Sequence, residues 1–245
     1  MNRQRPGAVL VTGASRGIGR AIALRLAEDG YDVVAHYGSS RQQAQTLTEI
    51  AARPIRLVEA DLADSQELPR LCAEVHELCT GGLAGIVPNA GIAVRKSFEE
   101  TQPGDLAAML AVNVTAPYVL TQGLRLLLRD GSQIVFISSI AARAAFSDLS
   151  AYAMTKAAIE ALTVHLAANL GPSGIRVNAL GLGAINTEMT PRLRDASGVD
   201  AVKAGQALKR VGRPEDAADA VSLLMSDQAR WITGAIIPVS GGTRL

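Results

Sequence analysis

Seven short apolar runs recur along this chain, separated by stretches whose apolar residues repeat with helical period, and that alternation admits few folds. The runs are Ala8–Val11, Asp32–His36, Ile55–Ala60, Leu83–Val87, Gln133–Ile137, Ile175–Leu180 and Ala235–Val239. Between them the pattern predicts a helix carrying Ile18, Ile22, Leu24 and Leu26 and ended by Gly30, then helices over Arg41–Ala52, Asp64–Cys79, Gly104–Leu128, Tyr152–Leu170 and Pro214–Ser226. Strands joined through helices pair in parallel with right-handed crossovers. The expected fold is therefore α/β, a doubly wound parallel sheet of about seven strands with helices on both faces. Apolar residues make up 48% of 245, enough for one substantial core, and no Pro/Gly/Ser-rich linker divides the chain. Residues 1–245 read as a single domain. A long polar excursion at about 184–213 has the character of a lid over a site.

The charge balance narrows the function classes. Lys and Arg number 24 against 23 acidic residues, a net charge of +1, so neither nucleic acid nor an anionic membrane finds an electrostatic footprint. No apolar run is long enough to span a bilayer, and a cytoplasmic location is expected. Cys72 and Cys79 fall on one predicted helix about 10 Å apart in rise, beyond disulfide reach, so free thiols are expected. His76 lies between them, but one straight helix cannot wrap three ligands around an ion, and no metal is expected.

Thr12-Gly-Ala-Ser-Arg-Gly-Ile-Gly19 connects the first strand to the first helix. At that place backbone N–H groups and the helix dipole can hold a pyrophosphate, which makes the sheet a Rossmann-type dinucleotide binder. Selection of an unphosphorylated ribose normally rests on an acidic residue at the end of the second strand. Here that strand runs through His36-Tyr37 into Gly38-Ser39-Ser40-Arg41. With Arg16 in the turn, a 2′-phosphate would meet hydroxyls and cations, so NADP(H) is favoured over NAD(H).

Tyr152 and Lys156 are four residues apart, which on a helix places a phenol and an ammonium on one face about 6 Å apart. A tyrosine titrates near ~10, and a neighbouring cation can draw it toward neutrality as a proton donor and acceptor. The run Gln133–Ile137 ends in Ser138 and Ser139, which puts a hydroxyl at a strand's carboxyl end, where open α/β sheets bind ligands.

Taken together, Thr12–Gly19, Asn89-Ala90-Gly91, Asn113, Ser139, Tyr152, Lys156 and Ile185-Asn-Thr187 match, in order and spacing, the motifs of the short-chain dehydrogenase/reductase family, which the chain resembles over its whole length. Thr12–Arg20, His36–Ser39 and Trp231–Gly242 are most similar to bacterial 3-oxoacyl-acyl-carrier-protein reductases. The resemblance implies hydride transfer between a nicotinamide and a carbonyl carbon, with Tyr152 exchanging the proton and Ser139 holding the reacting oxygen. It also implies that Lys156 lowers the Tyr152 pKa and holds the nicotinamide ribose, with Asn113 positioning a water that leads to Lys156. By the same resemblance the cofactor contacts are Gly13, Ser15, Arg16, Gly17, Ile18, Gly19, Ser39, Arg41, Asp61, Leu62, Asn89, Ala90, Gly91, Tyr152, Lys156, Gly183, Ile185 and Thr187.

The expected function is NADPH-dependent reduction of a ketone, a 3-oxoacyl thioester linked to acyl-carrier protein, as in fatty acid or polyketide biosynthesis. The alternatives are an NAD-dependent alcohol or sugar dehydrogenase and a non-catalytic nucleotide sensor. The substrate wall is expected from Ala141–Ser150 and from Met189, Leu193, Val199, Val202 and Leu208, and a basic rim for the carrier from Arg125, Arg129, Arg192 and Arg194. The family also implies a homo-oligomer, a tetramer or dimer. Three departures from its pattern stand out: Pro88 before Asn89, Leu182 before Gly183, and Ser240 before the terminal glycine pair. Pro88 removes a backbone donor and Leu182 removes a rigid φ, which is expected to loosen that loop.

Overall fold

The computed structural model describes residues 7–190, 193 and 195–243. Seven strands, β1 Ala8–Val11, β2 Asp32–Tyr37, β3 Ile55–Glu59, β4 Leu83–Val87, β5 Leu128–Ser139, β6 Arg176–Leu182 and β7 Ile236–Val239, form one sheet. Their order is β3-β2-β1-β4-β5-β6-β7, and every pairing is parallel. The winding reverses between β1 and β4, so their carboxyl ends open a crevice, the place where sheets of this type take ligands.

Side chains alternate across the sheet with period two. Ala8 and Leu10 face the layer of α3 (Glu67–Leu78), α5 (Ala116–Gly123) and α6 (Ser150–Leu170), packing with Leu71, Leu120 and Ile159. Val9 and Val11 face the layer of α1 (Gly17–Glu28), α2 (Arg41–Ile50) and α8 (Pro214–Met225), packing with Ile22, Leu47 and Val221. Burial on both faces explains why the inner strands read as continuous apolar runs.

The helix expected over Gly104–Leu128 is broken. It comprises α4 (Pro103–Leu110), a π-turn over Ala111–Thr115, α5, and a 3-10 turn over Arg125–Leu127. Pro117 is the physical reason, since it offers no N–H to the carbonyl of Asn113 one turn earlier. Leu128 already belongs to β5, pairing with Leu83, so that strand begins five residues before the apolar run suggests. Helix α3 starts at Glu67 because Asp64 spends its carboxylate on the Gln66 N–H at 2.8 Å.

Leu182 does not loosen its loop. It extends β6, pairing with Ser139 and Val239, and the Gly183 N–H continues the ladder to the Val239 carbonyl at 3.0 Å. Between β6 and α8 the chain leaves the sheet through α7 (Ala196–Ala204), capped by Asp195, whose carboxylate accepts the Gly198 N–H at 2.7 Å. The two ends of this excursion are tied by a parallel bridge between Ile185 and Gly212.

Candidate active site

A cleft of about 660 Å³ lies over the carboxyl ends of the strands. One end is the glycine turn. Gly13 has φ +64°, and a Cβ at Gly19 would sit 2.2 Å from the Gly13 carbonyl oxygen, so the helix can start this close to the turn only with glycine there. The first helical bond runs from the Arg20 N–H to the Arg16 carbonyl at 3.2 Å, which leaves the N–H groups of Gly17, Ile18 and Gly19 without helical acceptors.

Asn89 holds this turn from behind. Its Nδ2 donates to the Thr12 carbonyl at 2.9 Å, and its own N–H and that of Ala90 both donate to Thr12 Oγ1 at 3.0 Å. Pro88, lacking a donor, still accepts the Ile137 N–H at 3.3 Å, so β4 and β5 stay joined there. The buried His36 braces the other side. Its Nδ1 accepts the Gly13 N–H at 3.2 Å while Nε2 contacts the Ala60 carbonyl at 3.0 Å, and burial holds its pKa below 6.5, in the neutral form this pairing needs. Sequence reasoning missed that role, which becomes visible only when β2 is laid against the turn.

Every expected cofactor residue lines the cleft except Arg41. Arg41 is exposed at the start of α2, and its charge is felt by Tyr37 on the far side of β2. Arg16, Ser39 and Ser40 do line the cleft, with Arg16 paired to Glu188 at 3.1 Å. The residues present fit a dinucleotide: unpaired amides at the turn, hydroxyls and a cation past β2, and Asp61 and Leu62 beyond β3.

At the other end β5 delivers Ser139 and α6 delivers Tyr152 and Lys156. The Lys156 Nζ lies 5.7 Å from the Tyr152 ring centroid and donates to the Ile137 carbonyl at 2.8 Å. Burial pushes the phenol up to about 12, against a hydrogen bond from Ser139 and the charge of Arg95, both of which pull it down. Lys156 itself is held down to about 8 by burial. Ser139 and Arg95 pull the phenol down, and in this geometry desolvation outweighs them.

Asn113 is buried but does not line the cleft. Its Oδ1 accepts the Ile92 N–H at 2.8 Å, and its Nδ2 donates to the Ile92 carbonyl at 2.9 Å and to Thr155 Oγ1 at 3.0 Å. Both amide hydrogens are used, so the side chain fastens the loop after β4 to α6. Ile140, Ala141, Phe146, Leu149, Met189, Leu193 and Val202 give the cleft an apolar wall, while Val199 and Leu208 lie outside it. Arg125 and Arg129 sit at the opposite, amino end of β5, separated from Ser139 by at least the roughly 20 Å that the rise over Gln133–Ser139 spans, and cannot rim this mouth. Arg192 and Arg194 lie outside the described residues. Cys72 and Cys79 are free and buried, and burial raises both thiols. Among the described residues no cluster of His, Cys, Asp or Glu could hold a metal, and no helix is long and apolar enough to cross a membrane.

A family model described as enoyl-(acyl carrier protein) reductase matches residues 13–244. An uncharacterised oxidoreductase of Methylorubrum extorquens is 36% identical, over 96% of this chain and 96% of its own length. The chain belongs to the short-chain dehydrogenase/reductase family. Solved members of the family share the fold closely. A short-chain dehydrogenase of Burkholderia cenocepacia in complex with NADP has a TM-score of 0.91 at 37% identity, covering 98% of this chain and 99% of its own. The angucycline C-6 ketoreductase LanV with bound NADP has a TM-score of 0.90 at 33% identity, covering 96% and 95%. As a short-chain dehydrogenase/reductase this protein is an NAD(P)-dependent oxidoreductase.

Proposed function

We propose that the chain is an NADPH-dependent ketoreductase acting on a 3-oxoacyl thioester, working as one dinucleotide-binding and catalytic unit with residues 184–213 as its lid. The observation that carries this reading is the convergence of Ser139, Tyr152 and Lys156 at the apolar end of a cleft whose other end is the glycine turn. A bound nicotinamide supplies the hydride. Ser139 and Tyr152 bracket the substrate's carbonyl oxygen, and the phenol, fully protonated at neutral pH, gives its proton to the forming alkoxide. Lys156 places a positive charge beneath that exchange and holds the ribose. The Asn113 side chain is committed, but Pro117 deprives its carbonyl of the usual helical donor, which leaves that oxygen to hold a water on the way to Lys156.

Arg16, Ser39 and Ser40, with no carboxylate beside them at the end of β2, support NADPH over NADH, as does the NADP carried by the relatives above. The apolar wall supports an acyl chain. With Arg125 and Arg129 remote from the mouth, the reading commits to the thioester and not to its carrier. The buried free thiols suit a reducing, cytoplasmic setting, and exposed apolar side chains on α5 and α6 support a homo-oligomer.

Purified protein with NADPH should reduce an acetoacetyl thioester, and Tyr152→Phe should lower kcat by about 10³-fold or more with little change in NADPH affinity. Turnover of a 2-enoyl thioester in its place, or oxidation of alcohols with NAD⁺ alone, would overturn the reading.

A further inference from the structure

Among the described residues two charged side chains are buried, Lys156 at 4% and Glu160 at 9% exposed, and they stand one turn apart on α6. A buried charge is costly unless its bonds are made, so each calls for a use. Lys156 serves the proton exchange. Glu160 does not line the cleft, and nothing in that exchange accounts for it.

Its carboxylate is spent on two residues that flank Ser139. Oε1 accepts the Ser138 hydroxyl at 3.1 Å, and Oε2 accepts the Arg143 Nε–H at 2.6 Å. Between those two points lies a 3-10 turn over Ile140–Ala142, closed by the Arg143 N–H on the Ile140 carbonyl at 3.0 Å. Within it the Ala141 N–H donates to Ser139 Oγ at 3.1 Å. That bond occupies a lone pair of the hydroxyl and leaves its single proton to donate, and its partner across the cleft is the Tyr152 phenol. Tyr152, Lys156 and Glu160 form one stripe of α6, at i, i+4 and i+8. The first meets the substrate oxygen. The other two grip the end of β5 and the turn after it, Lys156 through the Ile137 carbonyl and Glu160 through Ser138 and Arg143, with Ser139 enclosed between them.

We propose that Glu160 is a positioning residue: by bonding Ser138 and Arg143 it holds the turn that aims the Ser139 hydroxyl at the substrate's carbonyl oxygen. This rests on the ketoreductase reading and deepens it. Glu160 lies outside the cleft, and its effect on turnover passes through Ser139 alone. A side chain that only packed α6 onto β5 would need no charge, and would have no reason to bond both sides of one hydroxyl.

The test measures kcat, KM and NADPH affinity with an acetoacetyl thioester for the natural protein, Glu160→Ala, Glu160→Gln, Arg143→Met, Ser139→Ala and the Glu160→Ala, Ser139→Ala double variant. Glu160→Ala should lower kcat about tenfold or more while NADPH affinity stays within about twofold. Glu160→Gln keeps an acceptor for Ser138 and should lose less. In the Ser139→Ala background Glu160→Ala should cost less than about twofold, because no hydroxyl is left to aim. Losses that multiply in the double variant, an unchanged kcat in Glu160→Ala, or NADPH affinity falling as far as kcat would overturn the assignment while leaving the reductase intact. Arg143→Met alters a side chain that is 61% exposed, and its own loss should likewise vanish without Ser139, so the question is decided even where Glu160→Ala fails to fold. Failure of the natural protein to reduce the thioester would overturn the ketoreductase reading itself, and this inference with it.

Discussion

Lys156 is enclosed between β5 and α6, donates to the Ile137 carbonyl at 2.8 Å, and is held by burial to a pKa of about 8. Reduction needs the Tyr152 phenol protonated, which it is up to about 12, so the phenol places no limit on the rate near neutrality. The limiting group is the ammonium. As pH rises through about 8 the site loses its positive charge, and kcat/KM for reduction should fall with a single proton's dependence. Stability should respond in the opposite direction. Between about 8 and 10.5 the unfolded chain still carries the lysine proton while the folded chain has released it, so unfolding takes up a proton and this group's contribution to stability rises with pH. Parallel measurement of pH–rate profiles and thermal unfolding separates the two effects. A rate that falls only where the protein also melts would remove Lys156 as the controlling group.

At the scale of elements, the break between α4 and α5 sets the geometry of the site. The π-turn over Ala111–Thr115 closes with the Ala116 N–H on the Ala111 carbonyl, and it delivers Asn113 between the loop after β4 and α6. Pro117 stands in the first turn of α5, where a missing N–H costs that helix little, yet the bond it forgoes is the one to Asn113. Pro117→Ala supplies that donor. It should change stability by no more than about 1 kcal/mol while lowering kcat/KM about tenfold, because the Asn113 carbonyl is drawn back into the helix. Unchanged activity in this variant would mean that the carbonyl has no part in the relay. The break was missed: a proline inside a helical pattern announces one, but the continuous apolar period of Gly104–Leu128 masked both Pro117 and the start of β5. The inner strands were legible because both of their faces are buried. The glycine turn, Ser139 and the Tyr152–Lys156 pair were legible because their chemistry lies in local spacing. Glu160 and His36 were not, since their roles depend on partners 22 and 23 positions away that only the fold brings near.

The whole molecule leaves two surfaces that a lone chain has no reason to keep. β7 is an edge strand of four residues, incompletely buried, and just before it stands Trp231, 97% exposed. On the helical side Tyr118 of α5 and Met154 and Val164 of α6 are each about half exposed. Exposed apolar surface of this size on rigid elements, beside an unpaired sheet edge, is what association between copies covers. We expect a homo-oligomer in solution, with β7 edges meeting on one axis and the α5–α6 faces on another. Val164→Asp places a charge where an apolar contact is expected and should lower the mass seen by light scattering without lowering the melting temperature of the monomer. Trp231 supplies an independent signal because it is the only tryptophan in the chain. In an assembled protein its emission should be that of a shielded indole and should shift to the red on dilution. If the natural protein has the mass of one chain and its tryptophan emits as if fully in water at every concentration, both faces are simply exposed and the site in each chain works alone.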